Sequence, residues 1–161
     1  MFEEQILDKN LHNRKAFSSG VKELDEYIQH FAAQQSKKGI AVVRVLIDIS
    51  KPNTILGYYS LSAAQINVAK FDERTMQNLP HYPVPCFRMG RLATDLAWRN
   101  LGIGKLLIGC AVSQCLKAKK HVGAYALIVD AKSIQAQQFY QYYGFIACID
   151  DPKTLYLPLG I

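Results

Sequence analysis

The sequence predicts an α/β domain in which a central mixed sheet is flanked by helices. Three observations lead to this fold class: a hairpin pattern between residues 40 and 63, an alternation of strands and helices after residue 86, and no repeat or linker to divide the chain. The 161 residues, 50% of them hydrophobic, can bury a core without disulfides or metals. We therefore predict one domain spanning 1–161.

The first third of the chain predicts one helix and one hairpin. Apolar residues at helical spacing indicate a helix from about residue 20 to 35, with Ser18 or Ser19 able to cap its start. Two β-rich runs follow, 40–49 and 54–63, and the proline and asparagine between them suit a turn. These runs predict two antiparallel strands.

The middle of the chain predicts a strand followed by a long helix. Residues 67–85 are polar and end in three prolines, so they allow at most a short helix and then an extended segment. Residues 86–94 predict a strand. Residues 103–119 predict an amphipathic helix with an apolar face formed by Leu106, Leu107, Cys110, Ala111 and Gln114.

The last third predicts two further strands around a second helix. Residues 122–130 are almost continuously apolar, as in a strand that is buried on both faces. Ser133 can cap a helix that ends at Gly144. A strand is expected over 145–149, and a last short strand over 154–158.

Charge and cysteine content narrow the functional class. The net charge of +6 favours a polyanionic partner such as nucleic acid, acidic protein or CoA. No apolar run has the length of a membrane span and the N-terminus is acidic, so we predict a cytoplasmic protein with no membrane association. The cysteines form no CxxC pair and have no histidine at ligand spacing, which predicts reduced core thiols and no metal: Cys86, Cys110, Cys115 and Cys148. The four histidines are scattered and are interpreted as structural or solvent-facing.

The segment before the long helix carries the clearest motif, Arg99-Asn100-Leu101-Gly102-Ile103-Gly104. The first N–H groups of a helix lack partners within the helix, so a glycine-rich turn at that point favours an anion. Leu107 stands where a dinucleotide fingerprint needs its third glycine, and the spacing of the two glycines excludes a mononucleotide loop. The expected ligand is a phosphate or pyrophosphate, with a simple turn and helix cap as the alternative.

Arg-x-x-Gly-x-Gly resembles the pyrophosphate-binding motif of the GCN5-related N-acetyltransferases (GNAT), in which this loop holds the diphosphate of acetyl-CoA. A second motif of that family is similar to a pattern near the C-terminus, which comprises Ser133, Ala136, Phe139, Tyr140, Gly144 and Phe145. The resemblance implies the GNAT fold, with a splayed pair of strands at the acetyl-CoA site, and acetyl-CoA as cosubstrate.

Further blocks resemble the acetyltransferase toxins of type II toxin-antitoxin modules. These blocks span most of the chain and lie at 17–20, 24–25, 27–28, 57–61, 83–85, 90–95 and 151–159. The resemblance implies transfer of acetyl to the α-amino group of aminoacyl-tRNA, which blocks translation. It also implies a ribbon-helix-helix antitoxin as partner. The oligomeric state stays open between a monomer and a homodimer, although many members of the family form dimers.

The resemblance also implies roles for individual residues. Tyr140 would be the general acid that protonates the leaving thiolate; its alternative is a core aromatic. Ser133 and Ala136 would contact the CoA arm, although the Ser133 hydroxyl could act only as a helix cap. The backbone of Leu92, Ala93 and Thr94 would pair with pantetheine, and the pyrophosphate would be held by Arg99, Asn100, Leu101, Gly102, Ile103, Gly104 and Lys105.

Basic residues are candidates for the tRNA surface, because Lys and Arg contacts to phosphate dominate such affinities. Residues of this kind are more often ordinary solvated charges, which is the alternative for each of them. The candidates are Lys37, Lys38, Arg88 and Arg91, with Lys117, Lys119 and Lys120. Two other functions stay open: a GNAT enzyme that acetylates a small amine, a polyamine or a protein N-terminus, and a module that binds CoA without turnover.

Overall fold

The computed structural model describes residues 1–160. Within them, the strands are β1 (Phe2–Ile6), β2 (Val42–Asp48), β3 (Gly57–Ile66), β4 (Val84–Thr94), β5 (Ala126–Asp130), β6 (Ile146–Ala147) and β7 (Thr154–Pro158). The α-helices are α1 (Lys22–Glu26), α2 (Ala32–Lys37), α3 (Glu73–Met76), α4 (Ile103–Ala118) and α5 (Ile134–Tyr142). A π-helical segment, Tyr27–Phe31, joins α1 to α2, and short 3₁₀ turns lie at Val68–Lys70 and Leu96–Trp98.

The strands form one mixed sheet in the order β1-β2-β3-β4-β5-β7-β6. The pairs β1–β2, β2–β3, β5–β7 and β6–β7 are antiparallel, whereas β4 and β5 are parallel. The parallel register joins Phe87 to Leu127 and Met89 to Val129, and β4 then continues to Thr94. The predicted fold class, a mixed sheet with flanking helices, is confirmed.

Most predicted elements are present with shifted ends. The first predicted helix is found as α1, the π-helical segment and α2, and the hairpin is β2 with β3. The structure adds β1, which the sequence did not predict. The predicted strand over 122–130 is shorter and begins only at Ala126.

The predicted cap of the first helix was wrong. Val21 is the N-cap residue and no side chain caps the helix. The Ser19 hydroxyl instead accepts a hydrogen bond from the Val21 N–H (3.1 Å) and donates one to Asp25 Oδ1 (2.7 Å). Ser19 thus fixes the chain just before the helix without satisfying the helix's own N–H groups.

The chain divides into two compact units. The first comprises Met1–Ser62 and Gly90–Ala111, and the second comprises Ala63–Met89 and the residues from Val112 onward. The first unit has a buried core around Tyr27, Ile28 and Tyr58, and the core of the second is built around Phe71 and Tyr156. Each core removes large apolar side chains from water, which is the dominant stabilising contribution to folding.

The buried face of α4 differs from the predicted one. The buried residues on this face have the expected helical spacing, and they are Ile103, Leu107, Ala111 and Cys115. The buried face is therefore rotated about the helix axis relative to the predicted one. Leu106 was assigned to the apolar face but is 42% exposed.

The cysteines are free thiols, and Cys86, Cys115 and Cys148 are buried while Cys110 is half-buried. Burial raises the pKa of Cys115 to about 12, because the thiolate is disfavoured away from water. The interpretation as core side chains is confirmed for Cys86, Cys115 and Cys148. No helix within residues 1–160 combines the length and apolarity of a membrane span.

Gly57 on β3 lies close to the start of α4 and to the end of β4 in the first unit. A Cβ atom there would lie 2.8 Å from Leu107 Cδ1, 2.9 Å from the Ala93 carbonyl oxygen and 3.1 Å from Ile103 Cγ2. Backbone and packed side chains thus surround the glycine on three sides. Only glycine lets the start of α4 and the end of β4 lie this close to β3.

His12 is buried and has a fixed hydrogen-bonding role. Its Nδ1 accepts a hydrogen bond from the Asp8 N–H (2.9 Å), so Nε2 carries the proton and donates to Gln5 Oε1 (2.9 Å). Burial lowers the pKa of His12 below 6.5, and Asp8 only partly opposes the shift. The interpretation of His12 as a structural histidine is confirmed.

We expect a Gly57→Ala substitution to lower the free energy of unfolding by about 1–3 kcal/mol, because the new methyl group overpacks a rigid site. The matched control is Gly109→Ala on the exposed face of α4, where a Cβ would meet nothing within 4 Å. The control should raise stability by about 0.5–1 kcal/mol through helix propensity. Urea unfolding of both variants measures the difference, and equal effects would contradict the packing argument.

We expect the free energy of unfolding to decrease as the pH falls below 6.5. A histidine with a lowered pKa binds a proton more readily in the unfolded chain, so its stabilising contribution is complete above 6.5 and is lost below it. Urea unfolding between pH 7.5 and 5 measures this. The free energy of unfolding should depend less on pH in His12→Gln than in the control His121→Gln, which changes an exposed histidine. Identical slopes in the two variants would rule out His12 as a source.

Candidate active site

The glycine-rich segment forms a turn that leads directly into α4. Asp95 caps the 3₁₀ turn Leu96–Trp98 through its Oδ1, which accepts from the Ala97 N–H (2.9 Å). Asn100 and Gly102 then adopt left-handed conformations, with φ of +64° and +77°. The φ of +77° favours glycine at position 102, and a Cβ there would meet nothing within 4 Å, so the adjoining space is open.

This turn is tied to the segment that precedes α1. The Arg99 guanidinium donates from Nη2 to the Ser19 carbonyl oxygen (2.9 Å), and Asp95 Oδ2 accepts from the Ser18 N–H (3.0 Å). Arg99 is nevertheless an exposed residue. The structure therefore gives Arg99 a positioning contact within the protein, and its contact with pyrophosphate stays a prediction.

The turn has the features that a diphosphate group needs. It opens the 16-residue helix α4, whose first N–H groups lack helical partners and carry the positive end of the helix dipole. Ile103 is buried, whereas Lys105 is exposed, as are Asn100 and Leu101. Backbone N–H groups and the Lys105 charge are therefore the groups available to an anion, and the side chain of Ile103 is not.

The predicted pantetheine strand is the last part of β4. Ala93 is buried in the core of the first unit, whereas Leu92 and Thr94 are half-buried. Because Ala93 has no exposed side chain, only its backbone could serve a ligand. This agrees with the backbone role predicted for these three residues, which itself stays a prediction.

Tyr140 lies on α5 with its ring buried in the second unit. The ring makes edge-to-face contacts with Phe139 (5.5 Å between centroids) and Phe145 (5.4 Å). Burial raises the pKa of Tyr140 to about 12, and the negative charge of Asp130 adds to this shift. Within residues 1–160 no group hydrogen-bonds to the hydroxyl, so its proton is available to a ligand.

Asp130 is a residue near Tyr140 that sequence analysis missed. It ends β5, forms an ion pair with Arg88, and accepts a hydrogen bond from Thr154 Oγ1 (3.1 Å) through Oδ1. A signal was present, since Asp130 is the polar residue that ends an apolar strand. Arg88 was predicted to contact tRNA, but in the structure its charge is balanced by Asp130.

Ser133 caps α5, with its Oγ accepting a hydrogen bond from the Ala136 N–H (3.1 Å). The capping role is thus confirmed. Ser133 is exposed, so its hydroxyl hydrogen can still donate. Contacts of Ser133 and Ala136 with the CoA arm stay predictions.

The remaining basic candidates differ in whether their charged groups have a partner within the protein. Lys37 and Lys38 are exposed at the end of α2. The Arg91 guanidinium carbon lies 3.6 Å from the centroid of the Tyr27 ring, a cation–π contact within the first unit. In the second unit, Lys119 donates to the Leu159 carbonyl oxygen (2.7 Å). Arg91 and Lys119 thus have partners in the protein.

Comparisons with known proteins identify the fold and the family of this chain. The chain is 30% identical over 142 residues to a Mycobacterium tuberculosis protein named tRNA-acetylating toxin, covering 88% of this chain and 83% of the relative. Two solved structures share the fold. One is AtaT complexed with acetyl-methionyl-tRNAfMet, with a TM-score of 0.91, 24% identity and coverage of 98% of this chain and 95% of that chain.

The other is a mutant AtaT toxin bound to the C-terminus of the antitoxin AtaR and acetyl-CoA. It has a TM-score of 0.83, 22% identity and coverage of 98% of this chain and 93% of that chain. A family model described as an acetyltransferase (GNAT) domain matches residues 7–154. The protein is therefore a member of the GNAT acetyltransferase family, as its two motifs predicted.

Proposed function

We propose that this acetyltransferase moves the acetyl group of acetyl-CoA to the α-amino group of an amino acid esterified to tRNA, and that it acts as a translation-blocking toxin. The match along most of the chain to the tRNA-acetylating toxin is the observation that carries this substrate. An aminoacyl-tRNA that is acetylated on its α-amino group has no free amine, so it cannot accept a growing peptide. The net charge of +6 suits a polyanionic substrate.

The glycine-rich turn holds the diphosphate of acetyl-CoA in this proposal. The left-handed backbone at Asn100 and Gly102 places the start of α4 next to open space. Gly104 lets the diphosphate approach the helix closely, and Lys105 adds a positive charge. The backbone of Leu92, Ala93 and Thr94 pairs with the amides of pantetheine.

Tyr140 supplies the proton for the leaving group. The amine nitrogen attacks the thioester carbonyl, the carbon–sulfur bond breaks, and the sulfur takes the phenolic proton. The attacking nitrogen releases a proton to water, and the Tyr140 phenolate takes a proton back from water. With its pKa raised to about 12, the phenol is fully protonated before the reaction begins. Its proton is transferred only when negative charge develops on the sulfur.

A dedicated base is unnecessary for this substrate. An α-amino group has a pKa of about 7.7 to 8.0, and esterification of the neighbouring carboxyl group lowers it further. Much of the amine is therefore neutral near pH 7. Asp130, the carboxylate near Tyr140, is engaged by Arg88 and Thr154, which leaves it poorly placed to accept a proton.

The proposed partner is an antitoxin. The structure of AtaT with the C-terminus of AtaR supports an antitoxin tail as the binding element. The resemblance of the sequence to toxins of type II modules supports a ribbon-helix-helix DNA-binding domain in that antitoxin. The same resemblance supports a homodimer, and charged tRNA as substrate supports a cytoplasmic location.

We expect Tyr140→Phe to bind acetyl-CoA with unchanged affinity and to lose about 10²–10⁴-fold in the rate of transfer, because only the proton donor is removed. The assay incubates the purified protein with labelled acetyl-CoA and total charged tRNA, and counts the label retained on tRNA. Tyr142→Phe is the matched control, since Tyr142 lies two residues away and is 82% exposed. It should retain wild-type activity.

Two results of this assay would change the proposal. Full activity of Tyr140→Phe would remove the general-acid role. If the wild type labels polyamines or protein N-termini and leaves charged tRNA unlabelled, the substrate assignment is wrong and the alternative GNAT activity stands. Deacylated tRNA serves as the negative substrate, because it carries no α-amino group.

We expect Gly104→Asp to weaken acetyl-CoA binding by at least tenfold, because a carboxylate would occupy the position of the diphosphate. Gly109→Asp introduces the same side chain on an exposed position of the same helix and should leave the affinity unchanged. Isothermal titration calorimetry measures both. Equal affinities of the two variants would refute the assignment of the turn.

A further inference from the structure

A cleft of about 920 Å³ lies in the first unit, away from the glycine-rich turn. The end of β1 and the loop after it form one wall, and the π-helical segment with α2 forms the other. All lining residues lie between positions 6 and 37. The cleft is therefore separate from the residues assigned above to acetyl-CoA and to proton transfer, and its volume exceeds what a single phosphate needs.

The cleft is lined by three cations without partners. Lys9, Arg14 and Lys37 make no ion pair and no side-chain hydrogen bond within residues 1–160. The single lining carboxylate, Asp8, accepts from the Asn10 N–H (2.9 Å) in its own loop. Positive charge thus exceeds negative charge in a concave site, which raises the local concentration of anions.

The loop that carries two of these cations is rigidly held. The Asp8 carbonyl oxygen accepts from the N–H groups of Leu11 (3.1 Å) and His12 (2.9 Å), and the buried His12 ring accepts from the Asp8 N–H. Since these hydrogen bonds restrict the backbone of the loop, little conformational entropy would be lost on binding.

The opposite wall is built on an irregular helix. Tyr27–Phe31 is a π-helical turn, a conformation that is rare and is frequently found at functional sites. His30, on this turn, lines the cleft and has no hydrogen-bond partner within the described chain. Ala33 and Leu7 add an apolar surface. The cleft therefore combines unpaired cations, an imidazole and an apolar surface.

We propose that this cleft binds the sugar–phosphate backbone of RNA and is a docking site for the tRNA substrate. The identification of the RNA as tRNA rests on the proposed function. Lys9, Arg14 and Lys37 bind successive phosphates, and the apolar surface of Leu7 and Ala33 receives a ribose or base. Lys37 was a tRNA candidate from the sequence; Lys9 and Arg14 join it through the fold alone.

The test measures binding of fluorescein-labelled deacylated tRNA by anisotropy over a series of KCl concentrations, without acetyl-CoA. We expect Lys9→Gln, Arg14→Gln and Lys37→Gln each to reduce the salt slope, log Kd against log [KCl], by about 0.7–0.9. The triple variant should bind tRNA at least tenfold more weakly. Its acetyl-CoA affinity should be unchanged, which shows that it is folded.

Two control variants separate the cleft from general charge. Lys22→Gln removes one charge from a side chain that is 83% exposed and does not line the cleft. Ser36→Ala changes a lining residue without changing charge. Both should keep the wild-type slope. A control slope reduced as much as that of the cleft variants would overturn the assignment.

The outcomes distinguish this inference from the proposed function. If the triple variant keeps the wild-type affinity for tRNA and the wild-type salt slope, the cleft is not an RNA-binding site, whatever the acetylation assay shows. Binding of a polyglutamate peptide is measured in the same way. If the triple variant loses binding to this peptide but keeps its binding to tRNA, the ligand of the cleft is an acidic peptide and not RNA. If the cleft variants weaken tRNA binding but the wild-type protein does not acetylate charged tRNA, the RNA-binding cleft is supported and only the proposed function is wrong.

Discussion

The absence of a side chain at Gly57 is the constraint on which the proposed acetyl-CoA site depends. The start of α4 and the end of β4 both press against β3 at this residue, with Leu107, Ile103 and the Ala93 carbonyl within about 3 Å of the missing Cβ. The glycine-rich turn connects β4 to α4. Its position is therefore set by a packing contact outside the turn, and the hydrogen bonds of Arg99 and Asp95 to the segment before α1 fix it further.

Burial of Tyr140 in the second unit keeps its phenol protonated, as the proposed general acid requires. The ring of Tyr140 is packed between Phe139 and Phe145, and burial raises the pKa of its hydroxyl to about 12. Asp130 adds to this shift, while its pairing with Arg88 offsets part of its negative charge. The same packing that makes Tyr140 a core aromatic therefore also keeps its proton in place, so the two alternatives weighed from the sequence are compatible.

Local signals predicted the elements that depend on local interactions. Ser133 caps α5, Gly144 follows it with a φ of +94°, and β7 covers Thr154–Pro158 as expected, because caps, left-handed turns and short β-rich runs are encoded by neighbouring residues. The strand β1 was missed. Its sequence, Phe-Glu-Glu-Gln-Ile, has a weak apolar pattern, and it is a strand because it pairs with β2 from Ile6↔Arg44 to Phe2↔Asp48.

The sequence by itself determined the family, the glycine-rich turn, and Tyr140 as the candidate acid, since two motifs at fixed spacing identify them. The tertiary structure decided which charges lie together. It pairs Arg88 with Asp130, places Arg91 on Tyr27, and brings Lys9 and Arg14 into one cleft with Lys37. The members of the two pairs, and Lys37 and the other two cations of the cleft, are 23 to 64 positions apart in sequence. The physical reason is that only strand pairing and helix packing bring such distant residues to one place in the fold.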